Sequence, residues 1–207
     1  TIIWSLNTEN DTIENFVEQV EALKTSLGLK EFYLHGHSWG TALALEYYLK
    51  YPKGIKAIIF NSPYFSTSLW KADADTLITT LPDSIQLAIK TGEKNHDYGS
   101  PAYKNANEVF YKNFGVRKTK LTSELDTSTA KGNEFIYNYM WGPTEFTAAG
   151  TLINYNRVQS LKTIKVPTLF ITGEFDEARP VTVKYFQSLV PNSKFVMIDG
   201  AGHGTMH

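Results

Sequence analysis

Residues 36–40 read Gly36-His-Ser-Trp-Gly40, a serine at position 38 between two glycines in the pattern G-x-S-x-G. The preceding residues, Glu31-Phe-Tyr-Leu-His35, are typical of a short buried strand. Residues 41–51 carry apolar side chains at helical spacing and end at a proline, which predicts a helix. We expect small glycines on both sides to let the chain turn sharply and hold the Ser38 hydroxyl in a strained, exposed position. The context therefore favours a nucleophilic serine over a glycine-rich capping turn.

Strands and helices alternate on both sides of this turn. Residues 13–27 predict an amphipathic helix, and residues 55–60 are too continuously apolar for one face to meet water. Near the end of the chain, residues 166–172 and 194–199 predict strands, with a helix at residues 181–189 between them. This order indicates an α/β fold with a mostly parallel sheet.

The middle of the chain differs in composition, with several prolines and glycines between short helical patterns. We therefore predict a core formed by residues 1–65 and 151–207, and a helical lid formed by residues 66–150. The best helix candidates in the lid are residues 77–90, 101–114 and 133–139.

A serine hydroxyl attacks a carbonyl only when a base takes its proton, and the base needs an orienting carboxylate. Asp176 follows the strand predicted at residues 166–172, and His203 follows the strand predicted at residues 194–199. Open α/β sheets place their sites at such carboxyl ends. The order Ser38, Asp176, His203 is the one expected when a G-x-S-x-G turn supplies the nucleophile.

Other candidates for these roles are present. Glu174 competes as the acid, and His207 is the second choice for the base. The spacing of His35 and His37 would suit a metal pair, but no further ligand lies nearby in the sequence. His96 falls in the predicted lid, where we expect it to be exposed. We predict no metal and no organic cofactor.

The composition excludes several classes of protein. The 207 residues include 20 Lys and Arg against 21 Asp and Glu, a net charge of −1, and no cysteine. Non-specific nucleic-acid binding needs a basic face, so we expect no nucleic-acid partner. No apolar run approaches the ~20 residues that cross a bilayer, so we expect no membrane insertion. The absence of cysteine rules out disulfides and thiolate nucleophiles.

Four segments of the sequence are distinctive when taken together. They are Gly36-His-Ser-Trp-Gly-Thr41, Asn138-Tyr-Met-Trp-Gly-Pro-Thr-Glu-Phe146, Gly173-Glu-Phe-Asp-Glu177 and Gly202-His-Gly-Thr-Met-His207. With these segments, which span nearly the whole chain, the chain resembles the proline iminopeptidase branch of the α/β-hydrolases, which includes serine aminopeptidases and L-amino-acid amidases. The order of the segments is the one that this family shows.

The resemblance implies an α/β-hydrolase fold with an inserted helical lid, and a serine exopeptidase that releases an N-terminal residue, preferably proline. Its substrates would be short peptides or amino-acid amides, cleaved through an acyl-enzyme. It implies Ser38 as nucleophile, Asp176 as orienting acid and His203 as base. It also implies that Glu145 and Glu177 bind the free α-amine, which distinguishes a chain end from an internal peptide bond.

The chain departs from the family pattern in several places. The upstream His-Gly-Gly-Pro-Gly loop that supplies one oxyanion-hole N–H is missing, which leaves only the backbone N–H of Trp39. Thr41 stands where a further glycine is usual, and we expect slight crowding there. The first strands and the terminal helix are also missing. We therefore expect a fragment that is poorly soluble and inactive alone.

Two other functions stay open. One is an esterase or amidase of the same fold that acts on uncharged small molecules, and the other is a non-catalytic α/β-hydrolase that serves as a binding module. We expect a cytoplasmic location, and the sequence does not determine the oligomeric state.

A group of aromatic residues in the lid could form the wall of a pocket for a pyrrolidine ring, although we expect most of these residues to pack in the core. Its members are Phe135, Tyr137, Tyr139, Trp141 and Phe146.

Overall fold

A parallel sheet lies at the centre of the computed structural model, which describes residues 12–117 and 132–205. Within these residues the strand order is β1-β2-β3-β4, and every neighbouring pair is parallel. The predicted α/β architecture is confirmed, with strand ends shifted by one or two residues. The strands are β1 (Phe32–His37), β2 (Ile55–Asn61), β3 (Thr168–Gly173) and β4 (Ser193–Ile198).

Three helices flank the sheet. Helix α1 (Ile13–Ser26) begins at Thr12, whose side chain accepts a hydrogen bond from the backbone N–H of Asn15 at 3.3 Å. Helix α1 packs on α2 (Trp39–Lys50), which in turn packs on β1. The third helix, Pro180–Ser188, packs against β3 and β4. These helices cover part of the sheet, while apolar side chains of the edge strands β1 and β4, such as Tyr33 and Val196, are exposed.

Among the described residues, four α-helices lie in the chain between β2 and β3, and we call the part that contains them, residues 67–117 and 132–150, the helical insert. The predicted helix at residues 77–90 is wrong, because Pro82 lacks a backbone N–H and cannot stand inside a helix. Two helices meet there instead, the second beginning directly after Pro82. The predicted helix at residues 101–114 is confirmed. The helices are α3 (Thr67–Ile78), α4 (Asp83–Asn95), α5 (Pro101–Phe114) and α6 (Glu134–Met140), and the flanking helix Pro180–Ser188 is α7.

The insert has buried side chains of its own and also packs on the sheet. One buried cluster joins α3, α4 and α5 around Tyr103 and Phe110. Trp70 and Trp141, by contrast, belong to the large cluster that surrounds the sheet. The insert is therefore anchored on the remainder of the protein by aromatic side chains. The boundaries proposed for core and lid stay a prediction.

The turn between β1 and α2 is strained at Ser38, which has φ 55° and ψ −128°. A non-glycine residue in the left-handed region costs about 1–3 kcal/mol unless its surroundings impose it. A Cβ on Gly36 would lie 2.2 Å from the backbone oxygen of Gly40, so the turn needs a glycine at position 36. At Gly40 a Cβ would meet no described atom within 4 Å. Close packing therefore requires a glycine at position 36 but not at position 40.

Thr41 does not crowd the start of α2. Its side chain is buried, and its hydroxyl donates to the carbonyl of Ser38 at 2.7 Å. The same oxygen accepts the backbone N–H of Tyr64 at 2.8 Å. Thr41 therefore ties the strained turn to the segment that follows β2.

In residues 12–117 and 132–205, no helix combines enough length with enough apolar character to span a membrane.

Replacing Gly36 by Ala is expected to destabilise the protein, whereas replacing Gly40 by Ala is expected to leave its stability unchanged or raise it. The added methyl group of Gly36→Ala meets backbone, and overpacking of this kind costs about 1–3 kcal/mol. Gly40 lies in the first turn of α2, where Ala is favoured over Gly by up to about 1 kcal/mol. Chemical denaturation of both variants beside the parent protein measures the two changes. Equal destabilisation would contradict this explanation of the turn.

Candidate active site

The carboxyl ends of β3 and β4 bring Asp176 and His203 into contact. The Nδ1 atom of His203 lies 2.8 Å from Oδ1 of Asp176, and both side chains are buried. The Nε2 atom of His203 is also buried and has no hydrogen-bond partner among residues 12–117 and 132–205. The ring therefore has one nitrogen fixed by a carboxylate and the other without a fixed partner.

Ser38 reaches the same region from β1. It lines a cavity together with Trp70, and the ring of Trp70 lies edge-on to His203 with centroids 5.4 Å apart. The neighbouring residue His37 contacts the backbone carbonyl of His203 through Nε2 at 2.9 Å. Trp39 is the first residue of α2, and backbone N–H groups in a first helical turn have no acceptor within the helix. The strained serine and a helix N-terminus therefore line one cavity, and His203 contacts Trp70, another residue of its wall.

In the pair formed by Asp176 and His203, each charge shifts the pKa of its partner in the direction opposite to the shift that burial causes. Burial by itself would lower the pKa of His203, but the carboxylates of Asp176 and Glu177 raise it from 6.5 to about 9. Burial would likewise raise the pKa of Asp176. The charge and hydrogen bond of His203, with hydrogen bonds from Ser62 and Gly173, hold the pKa of Asp176 below its usual value. The buried pair thus favours an ionised carboxylate beside a basic imidazole.

The loop that carries His203 is held by the end of helix α5. The backbone N–H of His203 donates to the carbonyl of Phe114 at 2.7 Å, and that of Gly204 donates to the carbonyl of Gly115 at 3.2 Å. A Cβ on Gly202 would lie 2.3 Å from the Gly115 oxygen, so this close approach also requires a glycine. The helical insert therefore fixes the position of the histidine loop, which no local pattern in the sequence indicated.

Glu177 is the least satisfied polar side chain near the cavity. It is 1% exposed, and neither of its carboxylate oxygens has a hydrogen-bond partner among the described residues. Burial and the nearby charge of Glu145 raise the pKa of Glu177 well above its usual value. Glu145 itself lines the cavity that contains Ser38. A buried carboxylate without donors is costly, so the arrangement favours a ligand that brings a positive charge or hydrogen-bond donors.

Buried hydrogen bonds within the insert position Glu145. The indole Nε1 of Trp70 donates to the backbone carbonyl of Glu145 at 2.9 Å. The hydroxyl of Tyr103 on α5 lies 2.7 Å from Oγ1 of Thr147 and 3.2 Å from Oγ1 of Thr144, so it bridges both sides of the turn. These contacts were not foreseen from the sequence, because they join residues that are far apart in the chain.

The cavity has a volume of about 270 Å³ and mostly apolar walls. Of the aromatic residues suggested as its wall, Tyr137 and Trp141 line it. Phe146 instead packs among the insert helices, and Phe135 is 48% exposed. The sequence did not indicate the contributions of α1, α3 and the segment after β2. The lining residues are Phe16, Ser38, Trp39, Tyr64, Trp70, Asn133, Ile136, Tyr137, Met140, Trp141, Glu145 and Leu152.

The alternative candidates lie elsewhere or serve other contacts. Glu174 is exposed, and its carboxylate accepts the backbone N–H of Gly200 at 2.9 Å. His96 ends helix α4 and is exposed, as predicted. His207 lies outside the described residues. No group of three or more His, Cys, Asp or Glu side chains comes together as a metal site within residues 12–117 and 132–205.

Several known proteins are similar to this chain in sequence and in fold. The model of the α/β-hydrolase fold family matches residues 5–207. A proline iminopeptidase of Heyndrickxia coagulans is 39% identical over 204 residues, which cover 98% of this chain and 68% of that protein. A proline iminopeptidase of Lactobacillus helveticus is 36% identical over 193 residues, or 93% of this chain and 66% of that protein.

A solved structure shows the same relationship. The crystal structure of the proline iminopeptidase of Mycobacterium smegmatis superimposes with a TM-score of 0.87 at 28% identity. The match covers 98% of this chain and 69% of that chain. The present chain thus spans about two thirds of the length of these relatives. Together with the parallel sheet and the strained serine turn, these similarities confirm the resemblance found in the motifs: the chain belongs to the proline iminopeptidase family of the α/β-hydrolases.

Proposed function

We propose that the protein is a serine exopeptidase that releases the N-terminal residue of short peptides or amino-acid amides, with proline preferred. The observation that carries this proposal is the buried carboxylate of Glu177, which has no hydrogen-bond partner in the described part of the chain and lies near a cavity lined by Ser38 and Glu145. The preference for proline is supported by the names of the relatives. The apolar aromatic walls of the cavity suit a pyrrolidine ring.

In the proposed reaction, Ser38 Oγ attacks the carbonyl carbon of the N-terminal residue while Nε2 of His203 takes the hydroxyl proton. The backbone N–H of Trp39 donates to the oxygen that becomes negative. His203 then gives the proton to the leaving amine, which departs and leaves an acyl-enzyme. Water, deprotonated by His203, hydrolyses the ester and restores Ser38.

Asp176 orients the imidazole in this mechanism. Its contact with Nδ1 of His203 at 2.8 Å supports the tautomer in which Nδ1 carries hydrogen and Nε2 accepts the proton of Ser38. The ionised carboxylate also stabilises the imidazolium that forms. The strain at Ser38 supports a catalytic role over a binding module, since a fold that needed only a turn would gain stability by relaxing it.

Glu145 and Glu177 select a substrate with a free amine. Glu145 belongs to the insert, and Glu177 follows β3, so a bound amine would contact both parts of the protein. At ~4 Å and an effective dielectric constant of ~20, each carboxylate attracts an ammonium by about 4 kcal/mol before desolvation is subtracted. An N-acylated or internal residue has no such charge and would leave the two carboxylates together without a cation.

In the full-length protein, replacing either glutamate by glutamine is expected to lower kcat/KM for L-prolyl p-nitroanilide by at least about 30-fold, since breaking one side of a buried charge contact costs about 2 kcal/mol or more. The same variants are expected to hydrolyse p-nitrophenyl acetate, which has no amine, at nearly the parental rate. The measurement is the ratio of the two kcat/KM values for Glu145→Gln and Glu177→Gln.

A matched control is Glu174→Gln, which changes an exposed carboxylate in the same loop as Glu177. It is expected to keep the parental ratio. If Glu145→Gln and Glu177→Gln also keep that ratio, the amine-binding role is excluded. An esterase or amidase for uncharged molecules then becomes the better assignment.

The affinity for an amine is expected to fall both at low pH and at high pH. Because the pKa of Glu177 is raised, this carboxyl becomes neutral at a higher pH than an ordinary glutamate and loses its attraction for the cation. At high pH the substrate amine loses its proton near ~8. The other titratable groups that face the two carboxylates are His203, Asp176, Tyr111 and Tyr137.

Calorimetric Kd values of L-prolinamide for the Ser38→Ala variant, measured across pH, test this dependence. We expect affinity to rise with pH on the acidic side at a midpoint above ~4.3, the usual value for glutamate, and to fall near ~8. A Glu177→Gln change in the same background should weaken binding and remove that acidic limb. An acidic midpoint at the ordinary glutamate value would contradict the role given to burial.

A further inference from the structure

Ser62, the residue directly after β2, faces the carboxylate of Asp176. We propose that Ser62 is a positioning residue for the reaction, and that it acts by holding the second oxygen of Asp176. This inference rests on the proposed function, because a positioning role requires Asp176 and His203 to serve as acid and base. Ser62 is 0% exposed, so it is not in a position to touch the substrate.

The backbone of Ser62 is strained in a way that its hydroxyl explains. Its φ is 49°, in the left-handed region that favours glycine. Its backbone N–H donates to the carbonyl of Ile171 on β3 at 2.8 Å, which continues the sheet pairing past the end of β2. Glycine would adopt this conformation at lower cost. The presence of a buried serine in place of glycine therefore indicates that its hydroxyl makes a contact that offsets the backbone strain.

The hydroxyl of Ser62 lies 2.6 Å from Oδ2 of Asp176, the shortest contact to that carboxylate. A second hydroxyl, that of Thr172, lies 3.1 Å from the same oxygen but is closer, at 2.8 Å, to the carbonyl of Ala178. One hydroxyl hydrogen serves one short bond, so the Thr172 hydrogen goes to Ala178 and the Ser62 hydrogen to Asp176. Hydrogen bonds from hydroxyl to carboxylate at this distance are among the stronger ones in proteins.

The two oxygens of Asp176 are thereby held from opposite sides. Oδ1 accepts from His203 Nδ1 at 2.8 Å and from the backbone N–H of Ala178 at 2.9 Å. Oδ2 accepts from Ser62 and from the backbone N–H of Gly173 at 3.1 Å. The Ser62 oxygen also lies 3.2 Å from the backbone carbonyl of His203, so this residue touches the loops after both β3 and β4. Loss of its hydroxyl would let the carboxylate rotate away from the imidazole plane.

The test compares Ser62→Ala with Ser62→Gly. Both remove the hydroxyl, but only glycine relieves the strained φ, so glycine keeps the protein folded if alanine does not. We expect both variants to lose about 10- to 100-fold in kcat for L-prolyl p-nitroanilide with KM unchanged, the effect of one charge-assisted hydrogen bond. Ser62→Gly is expected to melt at a higher temperature than Ser62→Ala. Asn192→Gly, which relieves a similar φ of 58° at an exposed position, is the control and should keep parental kcat.

A pH profile separates positioning from a general loss of structure. A donor on Oδ2 draws negative charge away from Oδ1, so its removal stabilises the imidazolium and moves the acidic limb of kcat/KM to higher pH in both variants. The other titratable groups that face His203 are His37, Glu145 and Glu177, which the variants leave in place.

Parental kcat and an unshifted acidic limb in Ser62→Gly would overturn the role of the hydroxyl. A low kcat in Ser62→Ala that Ser62→Gly restores would also overturn it, because the backbone would then be the cause. Parental activity in Ser38→Ala would overturn the proposed function as well. A Ser38→Ala variant without activity, beside fully active Ser62 variants, would overturn this inference alone.

Discussion

The rest of the site depends on one buried negative charge. The carboxylate of Asp176 is 1% exposed, and a charge in that place is tolerated only when donors surround it. Those donors come from the ends of three neighbouring strands: Ser62 after β2, Gly173 and Ala178 at and after β3, and His203 after β4. The need to satisfy one carboxylate thus brings three loops to a common point at the carboxyl edge of the sheet, where the strained serine turn at the end of β1 also lies.

The helical insert completes this arrangement and does more than cover the cavity. The end of α5 accepts backbone hydrogen bonds from the loop of His203, and α3 holds the backbone of Glu145 through Trp70. The positions of His203, the proposed base, and of Glu145, one of the two residues proposed to bind the amine, therefore both depend on the helical insert. A shift of the insert relative to the sheet would alter both together, so that amine binding and proton transfer are expected to respond to the same displacement.

The sequence predicted the parts of this structure that follow local rules. Ser38, Asp176 and His203 lie in the loops that follow β1, β3 and β4, in a fixed order, which is why pattern and topology sufficed to propose them. Glu145 and Glu177 were identified through resemblance to a family, since a carboxylate in a loop has no local signature. The role of Ser62 was not predicted, because its hydrogen bond joins residues 114 positions apart. The helix predicted at residues 77–90 failed since its apolar spacing continued across a proline.

The role of Ser38 as a nucleophile activated by His203 is tested most directly by covalent labelling with a fluorophosphonate, followed by mass spectrometry of the peptide that contains residue 38. We expect one adduct, on Ser38, that forms at least about 100-fold more slowly in His203→Ala and does not form in Ser38→Ala. An adduct on another serine, or labelling of Ser38 at the parental rate in His203→Ala, would contradict it.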